Sequence, residues 1–281
     1  GCTNTDQVVV TVNALPIVNA GNDLTLCQGS TATLTATGAS TYSWNNGVNQ
    51  GVAFSPAVGA TTYSVTGTSG AGCIATDQVV VTVNALPIVD AGMDQVLCAA
   101  TNVTLSGSGA TTYTWNNGVT NGVAFTPAAT TTYTVTGTDA NGCINTDQVQ
   151  VTVGPIPVVF AGNDVTLCDG QSVTLTASGA TTYTWNNGVT NGVTFAPAIG
   201  SVVYSVTGTN AFGCIATDQV SVTVNPLPTV SFVSDVTTGC VPLVVNFTNT
   251  TPGATACNWS IENGSALTGC GTVQTTFNQS G

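Results

Sequence analysis

Six aspartates, three tryptophans and a run of cysteines recur through this chain at a spacing that could serve chemistry. Asp23, Asp94 and Asp164 sit in AGND or AGMD, and Asp77, Asp147 and Asp218 sit in TDQV. Carboxylates suit hard cations, so these six are candidate calcium ligands between repeats, although the expectation is that the chain holds no metal and no cofactor. The spacing lacks the dense DxDxD of a dedicated calcium loop, and an aspartate ahead of a strand is more often a turn former that accepts a backbone hydrogen bond. Trp44, Trp115 and Trp185 each open a WNNG motif. They are candidates for stacking on sugar rings, or for the buried tryptophan of a β-sandwich followed by a tight Asn-Gly turn. Sharing a strand face with Tyr42 favours the core for Trp44 and leaves the turn after it exposed.

Other chemistry is excluded by what is missing. The 281 residues hold no Lys, Arg or His against 12 acidic residues, of which Glu262 is the lone glutamate, for a net charge of −12. Nucleic-acid binding needs cations to replace counterions along the phosphates, and none exist. An anionic membrane surface repels such a chain, and apolar strands such as VVVTV fall far short of the roughly 20 residues that span a bilayer. There is no His base, Lys nucleophile, Arg clamp or CxxC pair, so no catalytic site is expected. Isopeptide crosslinks, which need lysine, are excluded too. Ten cysteines in a chain of this composition point to an oxidising compartment.

The elements that would position these residues come in copies. Trp44, Trp115 and Trp185 are 71 and 70 residues apart, and Cys27, Cys98 and Cys168 keep the same step, followed by Cys73, Cys143 and Cys214. Proline-bearing linkers repeat with them: NALPIV from Asn13 and Asn84, GPIPVV from Gly154, NPLPTV from Asn225. Such short proline joints read as stiff connections. The expected organisation is the last strand of a preceding repeat over 1–13, full repeats over 14–84, 85–154 and 155–225, and a different, partial module over 226–281. Residues 1–12 match the closing strand that begins at Gly72, so further chain is expected at both ends.

Within each repeat apolar residues alternate with Thr and Ser at period two. Ala32, Leu34 and Ala36 share a face, as do Tyr63 with Val65 and Val79 with Val81 and Val83. About seven short strands in 70 residues, split by Gly, Asn and Pro turns, predict an all-β chain of tandem immunoglobulin-like β-sandwiches. Two disulfide patterns are open. Pairing within repeats gives Cys27–Cys73, Cys98–Cys143 and Cys168–Cys214; pairing between repeats gives Cys2–Cys27, Cys73–Cys98 and Cys143–Cys168. The first is preferred because a staple in each small core lets a repeat fold alone. Cys257 and Cys270 then form a pair in the last module, and Cys2 and Cys240 await partners elsewhere.

The pattern AGNDVTLCDGQSVTLTASGATTYTWNNG, then TYSVTG, then GCIATDQVSVTVNPLP, resembles the Ig-like repeats of giant cell-surface adhesins of the Bacteroidota, the gliding-motility type exported by type IX secretion. VPLVVNFTNTTPG and CNWSIENG resemble a PKD-like module, which makes the last segment a partial PKD-like β-sandwich. The resemblance covers essentially the whole chain and transfers no catalytic residue. It implies a stalk or spacer at the bacterial cell surface or in the extracellular space, presenting a distal adhesive region. The alternatives are a polysaccharide-binding repeat module and a self-assembling filament subunit with homotypic contacts. Sequons at Asn102 and Asn246 would matter only in a eukaryotic secretory pathway.

Overall fold

The computed structural model describes residues 1–261 and 266–279; Glu262 and the end of the CNWSIENG motif lie outside the described residues. Two compact units are present, Gly1–Pro155 and Ile156–Gly281, divided inside the GPIPVV linker. No helix occurs among the described residues.

In the first unit, residues 1–13 pair with no strand, and Val8, Val9, Val10 and Val12 are exposed. An antiparallel bridge then joins Asn19 to Thr37. The strands that follow are β1 (Leu24–Cys27), β2 (Ala32–Thr33), β3 (Thr41–Trp44), β4 (Ala53–Phe54), β5 (Gly59–Thr68) and β6 (Ile74–Asn84). They form a four-stranded sheet in the order β1-β6-β5-β3 facing a small β2-β4 sheet. β5 and β6 make a long hairpin from Gly59 opposite Val83 to Thr68 opposite Ile74. β1 runs parallel to β6, with Leu24 opposite Val81 and Cys27 opposite Asn84. The leading segment thus bridges to Thr37, past the end of β2, before joining the larger sheet as β1, and the two facing sheets give the immunoglobulin-like arrangement.

The second repeat copies this with β7 (Gln95–Cys98), β8 (Val103–Thr104), β9 (Thr112–Trp115), β10 (Ala124–Phe125), β11 (Thr131–Thr138) and β12 (Ile144–Gly154), in the order β7-β12-β11-β9. In the second unit the third repeat does the same with β13 (Val165–Cys168), β14 (Val173–Thr174), β15 (Thr182–Trp185), β16 (Thr194–Phe195), β17 (Gly200–Thr209) and β18 (Ile215–Asn225), in the order β13-β18-β17-β15. The strands facing inward supply three separate cores. Ala32, Leu34 and Ala36 meet Val79, Val81 and Val83 in the first, and Leu105 and Leu175 occupy the place of Leu34 in the others. Each fully buried aliphatic side chain contributes roughly 1.5–3 kcal/mol relative to exposure. Phe54, Phe125 and Phe195 of the small sheets tilt against Tyr63, Tyr133 and Tyr204, with ring centroids 5.2, 5.3 and 5.4 Å apart.

The last segment is smaller. β19 (Phe232–Ser234), β20 (Leu243–Asn249) and β23 (Thr272–Phe277) form an antiparallel sheet in the order β19-β20-β23, and β21 (Asn258–Ser260) pairs with β22 (Ala266–Thr268) as a hairpin. Cys257 and Cys270 bond beside that hairpin, with Cα atoms 5.0 Å apart.

The crossing of the leading segment demands one glycine per repeat. Gly38, Gly109 and Gly179 have φ of 92°, 85° and 92°, and a Cβ on any of them would collide with the carbonyl of Ile17, Ile88 or Val158. A backbone carbonyl cannot swing aside as a side chain can. Gly109→Ala therefore combines backbone strain with an overlap against main chain and should destabilise the second repeat by about 3 kcal/mol or more. Chemical denaturation followed by tryptophan fluorescence measures this; a change within about 0.5 kcal/mol would show that the crossing tolerates a side chain.

Candidate functional site

The six recurring aspartates act as clips. Ala20 N–H donates to Asp77 Oδ2 at 2.8 Å, and Val80 N–H donates to Asp23 Oδ1 at 2.8 Å. The second repeat repeats the exchange with Ala91 to Asp147 and Gln150 to Asp94, at 2.8 and 2.7 Å. The third uses Ala161 to Asp218 and Ser221 to Asp164, both at 2.8 Å. Each pair joins the leading segment to the closing strand where the chain changes sheets. The N–H of Ala20, and next that of Gln78, holds the Asp77 carboxyl below the usual carboxylate value of 3.8. Ala91 and then Gln148 do this for Asp147, and Ala161 and then Gln219 for Asp218. Among the described residues no three acidic, Cys or His side chains gather into a possible ligand set. Each of the six calcium candidates thus accepts from a backbone N–H of its own repeat.

Trp44, Trp115 and Trp185 are 8%, 9% and 6% exposed, so their faces are not available to a sugar ring. Each indole N–H donates to an amide oxygen six residues on: Gln50 at 2.8 Å, Asn121 and Asn191 at 3.0 Å. That same oxygen accepts from the backbone of Ala36, Gly107 or Ala177. Sequence reasoning missed these three amides; their fixed offset from the tryptophan was the available signal. The first Asn of each WNNG is also spent on structure, since Asn45, Asn116 and Asn186 accept from Ser64, Thr134 and Ser205 N–H. Asn46 and Gly47 both have positive φ, 54° and 72°, as a type I′ turn requires.

The cysteines depart from both expected patterns. Cys27 bonds to Cys143, 116 residues away, with Cα atoms 5.5 Å apart. Cys98 and Cys214 are also disulfide-bonded, whereas Cys73 and Cys168 are free thiols, as are Cys2 and Cys240. The parallel register explains the correction. Cys27 lies opposite Asn84, the last residue of β6, while Cys73 directly precedes Ile74, the first. Eleven strand residues separate those ends, roughly 35 Å at about 3.3 Å per residue, whereas a disulfide needs Cα atoms within about 7 Å. Cys98 opposite Gly154 and Cys168 opposite Asn225 stand in the same relation to Cys143 and Cys214. A staple within a repeat is therefore impossible. The Cys73–Cys98 alternative fails similarly, because it joins the leading end of one repeat to the trailing end of the next. What the geometry allows is a bond across the joint, from the trailing end of the first repeat to the leading end of the second. Within the second repeat, Asn145 Nδ2 donates to the linker carbonyl of Pro87 at 2.9 Å.

The last segment holds a cleft of about 770 Å³ whose lining includes Phe232, Phe247, Trp259 and Phe277. The rings of Phe232, Phe247 and Trp259 lie 5.5 to 6.1 Å apart, and Trp259 Nε1 donates to Gly269 O at 2.9 Å. No charged side chain occurs among the described lining residues.

No protein-family model matches the chain, and no curated protein sequence does. Solved structures do. An I-band fragment of titin is 14% identical, with the match covering 76% of this chain and all of that one at a TM-score of 0.36. The N-terminal eight Ig domains of Down Syndrome Cell Adhesion Molecule are 13% identical over 94% of this chain and 54% of that one, at 0.29. The insect immune protein hemolin is 15% identical over 75% and 76%, also at 0.29. The immunoglobulin-like assignment rests on the strand orders and registers described above.

The clips make two measurable statements. A carboxyl whose folded value lies below its ordinary one stabilises fully above that ordinary value and loses the contribution as pH falls through the folded one. Unfolding midpoints should therefore drop as pH is lowered below about 3.8, and the joint replacement Asp77→Asn, Asp147→Asn, Asp218→Asn should flatten this acid limb; an unchanged limb would remove the clips from the account. Chelation with EDTA should leave the midpoint at neutral pH unchanged, and a fall on chelation reversed by calcium would restore the cation reading.

Proposed function

We propose that the chain is a spacer segment of an extracellular adhesive repeat protein, in which linked sandwiches over 14–84, 85–154 and 155–225 and a PKD-like module over 226–281 hold a distal adhesive region away from a surface. The finer reading follows the sequence resemblance: a giant surface adhesin of the Bacteroidota, of the gliding-motility type and exported by type IX secretion. The observation that carries the spacer reading is the Cys27–Cys143 bond, which welds one sandwich to the next at their joint. Disulfides of this kind persist in oxidising surroundings, which supports a location outside the cytoplasm. The repeating polar side chains are spent on their own backbone, and the three tryptophans are core, so the repeats retain little with which to grip a polysaccharide.

A joint built to bear tension must withhold chain from extension. Under force applied at the two termini, the disulfide short-circuits the 116 residues between Cys27 and Cys143. Single-molecule pulling of the oxidised chain should therefore reach a final contour at least about 400 Å shorter than in the presence of reductant, at about 3.5 Å per residue. Equal contours under both conditions would sink the spacer reading, because the joints would then carry no load.

A further inference from the structure

Seven Asn-Gly pairs occur in the sequence. Such a pair can rearrange without an enzyme, because glycine puts no side chain in the way when its backbone nitrogen turns back onto the asparagine amide. Two groups must be available: the glycine N–H as nucleophile and the asparagine carboxamide as electrophile. The fold divides the pairs on that criterion. Gly122 N–H donates to Leu105 O at 2.9 Å, and Gly192 N–H donates to Leu175 O at 2.8 Å. The amides before them are engaged as well. Asn121 Oδ1 accepts from Trp115 Nε1 and Gly107 N–H at 3.0 and 2.7 Å, and Asn191 Oδ1 accepts from Trp185 Nε1 and Ala177 N–H at 3.0 and 2.7 Å. Gly142 N–H donates to Asp139 O at 3.2 Å, and Asn263 lies outside the described residues. The remaining pairs, Asn46-Gly47, Asn117-Gly118 and Asn187-Gly188, form the exposed centres of the WNNG turns, with φ of 54°, 54° and 52° at asparagine. Among the described residues neither their carboxamides nor their glycine N–H groups find a partner, since the bonds of these turns are made by Asn45, Asn116 and Asn186.

We propose that Asn46, Asn117 and Asn187 are sites of spontaneous deamidation in the folded protein, and that the fold protects Asn121, Asn141 and Asn191 from the same reaction. The glycine nitrogen gives up its proton and attacks Cγ of the asparagine. A C–N bond forms to close a cyclic imide, and the amide nitrogen leaves as ammonia. Water then opens the ring at either carbonyl. One opening leaves aspartate; the other leaves isoaspartate, whose main chain runs through Cβ and is one atom longer at the turn. Water is the only co-reactant. Each event converts a neutral amide to a carboxylate, so completion at the three turns carries the net charge from −12 to −15, and with no Lys, Arg or His in the chain no side chain offsets it. The site is the same in all three repeats and does not depend on the spacer role.

The test follows the whole chain, folded and oxidised, in mildly alkaline buffer, which favours loss of the glycine amide proton. Chymotryptic peptides sequenced by mass spectrometry give the extent of conversion at each asparagine. A second sample, unfolded in denaturant with reductant, sets the intrinsic rate of every pair, and there Asn117 and Asn121 should convert alike. In the folded chain Asn117 should convert at least about tenfold faster than Asn121, and Asn187 than Asn191, because the later pair of each segment must first break three hydrogen bonds. Both comparisons fall within ATTYTWNNGVTNGV, which occurs twice without a change, so the surrounding sequence is shared. Equal rates at the two pairs of a folded segment would overturn the proposal. So would Asn46, Asn117 and Asn187 remaining intact in the folded chain once the unfolded sample has reacted.

Discussion

A strand that runs parallel to its neighbour cannot be reached through a tight hairpin; the chain must leave the sheet and return. β1 meets this requirement at the start of the repeat: the chain bridges Asn19 to Thr37, past the end of β2, and then runs on to lie along β6. Its register against the last four residues of β6 fixes which end of the sandwich receives Cys27. The cysteine before β6 necessarily stands at the other end, and two cysteines at opposite poles of a rigid body bond only to neighbouring bodies. The covalent linkage between repeats is thus a consequence of the register of four residues. Gly38 and its counterparts allow the crossing, and the aspartate clips secure it from both sides.

A second constraint is the absence of cationic side chains. A carboxylate here can find its donors only among backbone N–H groups, amides, hydroxyls and the indole N–H. The observed partners of Asp23, Asp77 and their copies are accordingly main-chain N–H groups, and among the described residues no buried side-chain nitrogen or oxygen lacks a partner. Polar residues that look available in the sequence, such as Asp77, Gln50 and Asn45, are the groups that hold segments without strand pairing in place. The repeat therefore retains the appearance of a ligand-binding surface while its recurring acceptors are already satisfied internally.

This also explains what could be read from the sequence and what could not. The period-two alternation placed Leu34, Val79 and Val81 on a common face because half-buried strands impose that pattern, and all three are buried. The Asn-Gly turn was legible because positive φ at consecutive positions restricts the residue types so strongly. The disulfide register was not, since LTLC pairs equally well in either direction and nothing local marks its neighbour. The decisive clue was jointly held by two distant facts: Cys27 ends a strand, and Cys73 precedes one. Had β1 paired with the first residues of β6 instead of its last four, the preferred pairing within the repeat would have been sterically possible. Likewise the AGND motif looks the same whether its carboxylate faces a cation or the amide of Val80.

Covalent joints also answer an energetic problem. The first two cores are separate clusters, and no strand pairs from one repeat to the next. Between domains so small, an interface made of a few linker residues would leave relative motion as the default. A disulfide that closes a loop of 116 residues removes about 5 kcal/mol of unfolded-chain entropy by the loop-length argument, comparable with the entire stability of a small domain. Because the loop passes through parts of both sandwiches, neither can regain its full unfolded freedom while the bond persists. Stability that each thin core could not provide alone is therefore shared between the first two sandwiches, at the cost of requiring an oxidising environment for as long as the bond is to last.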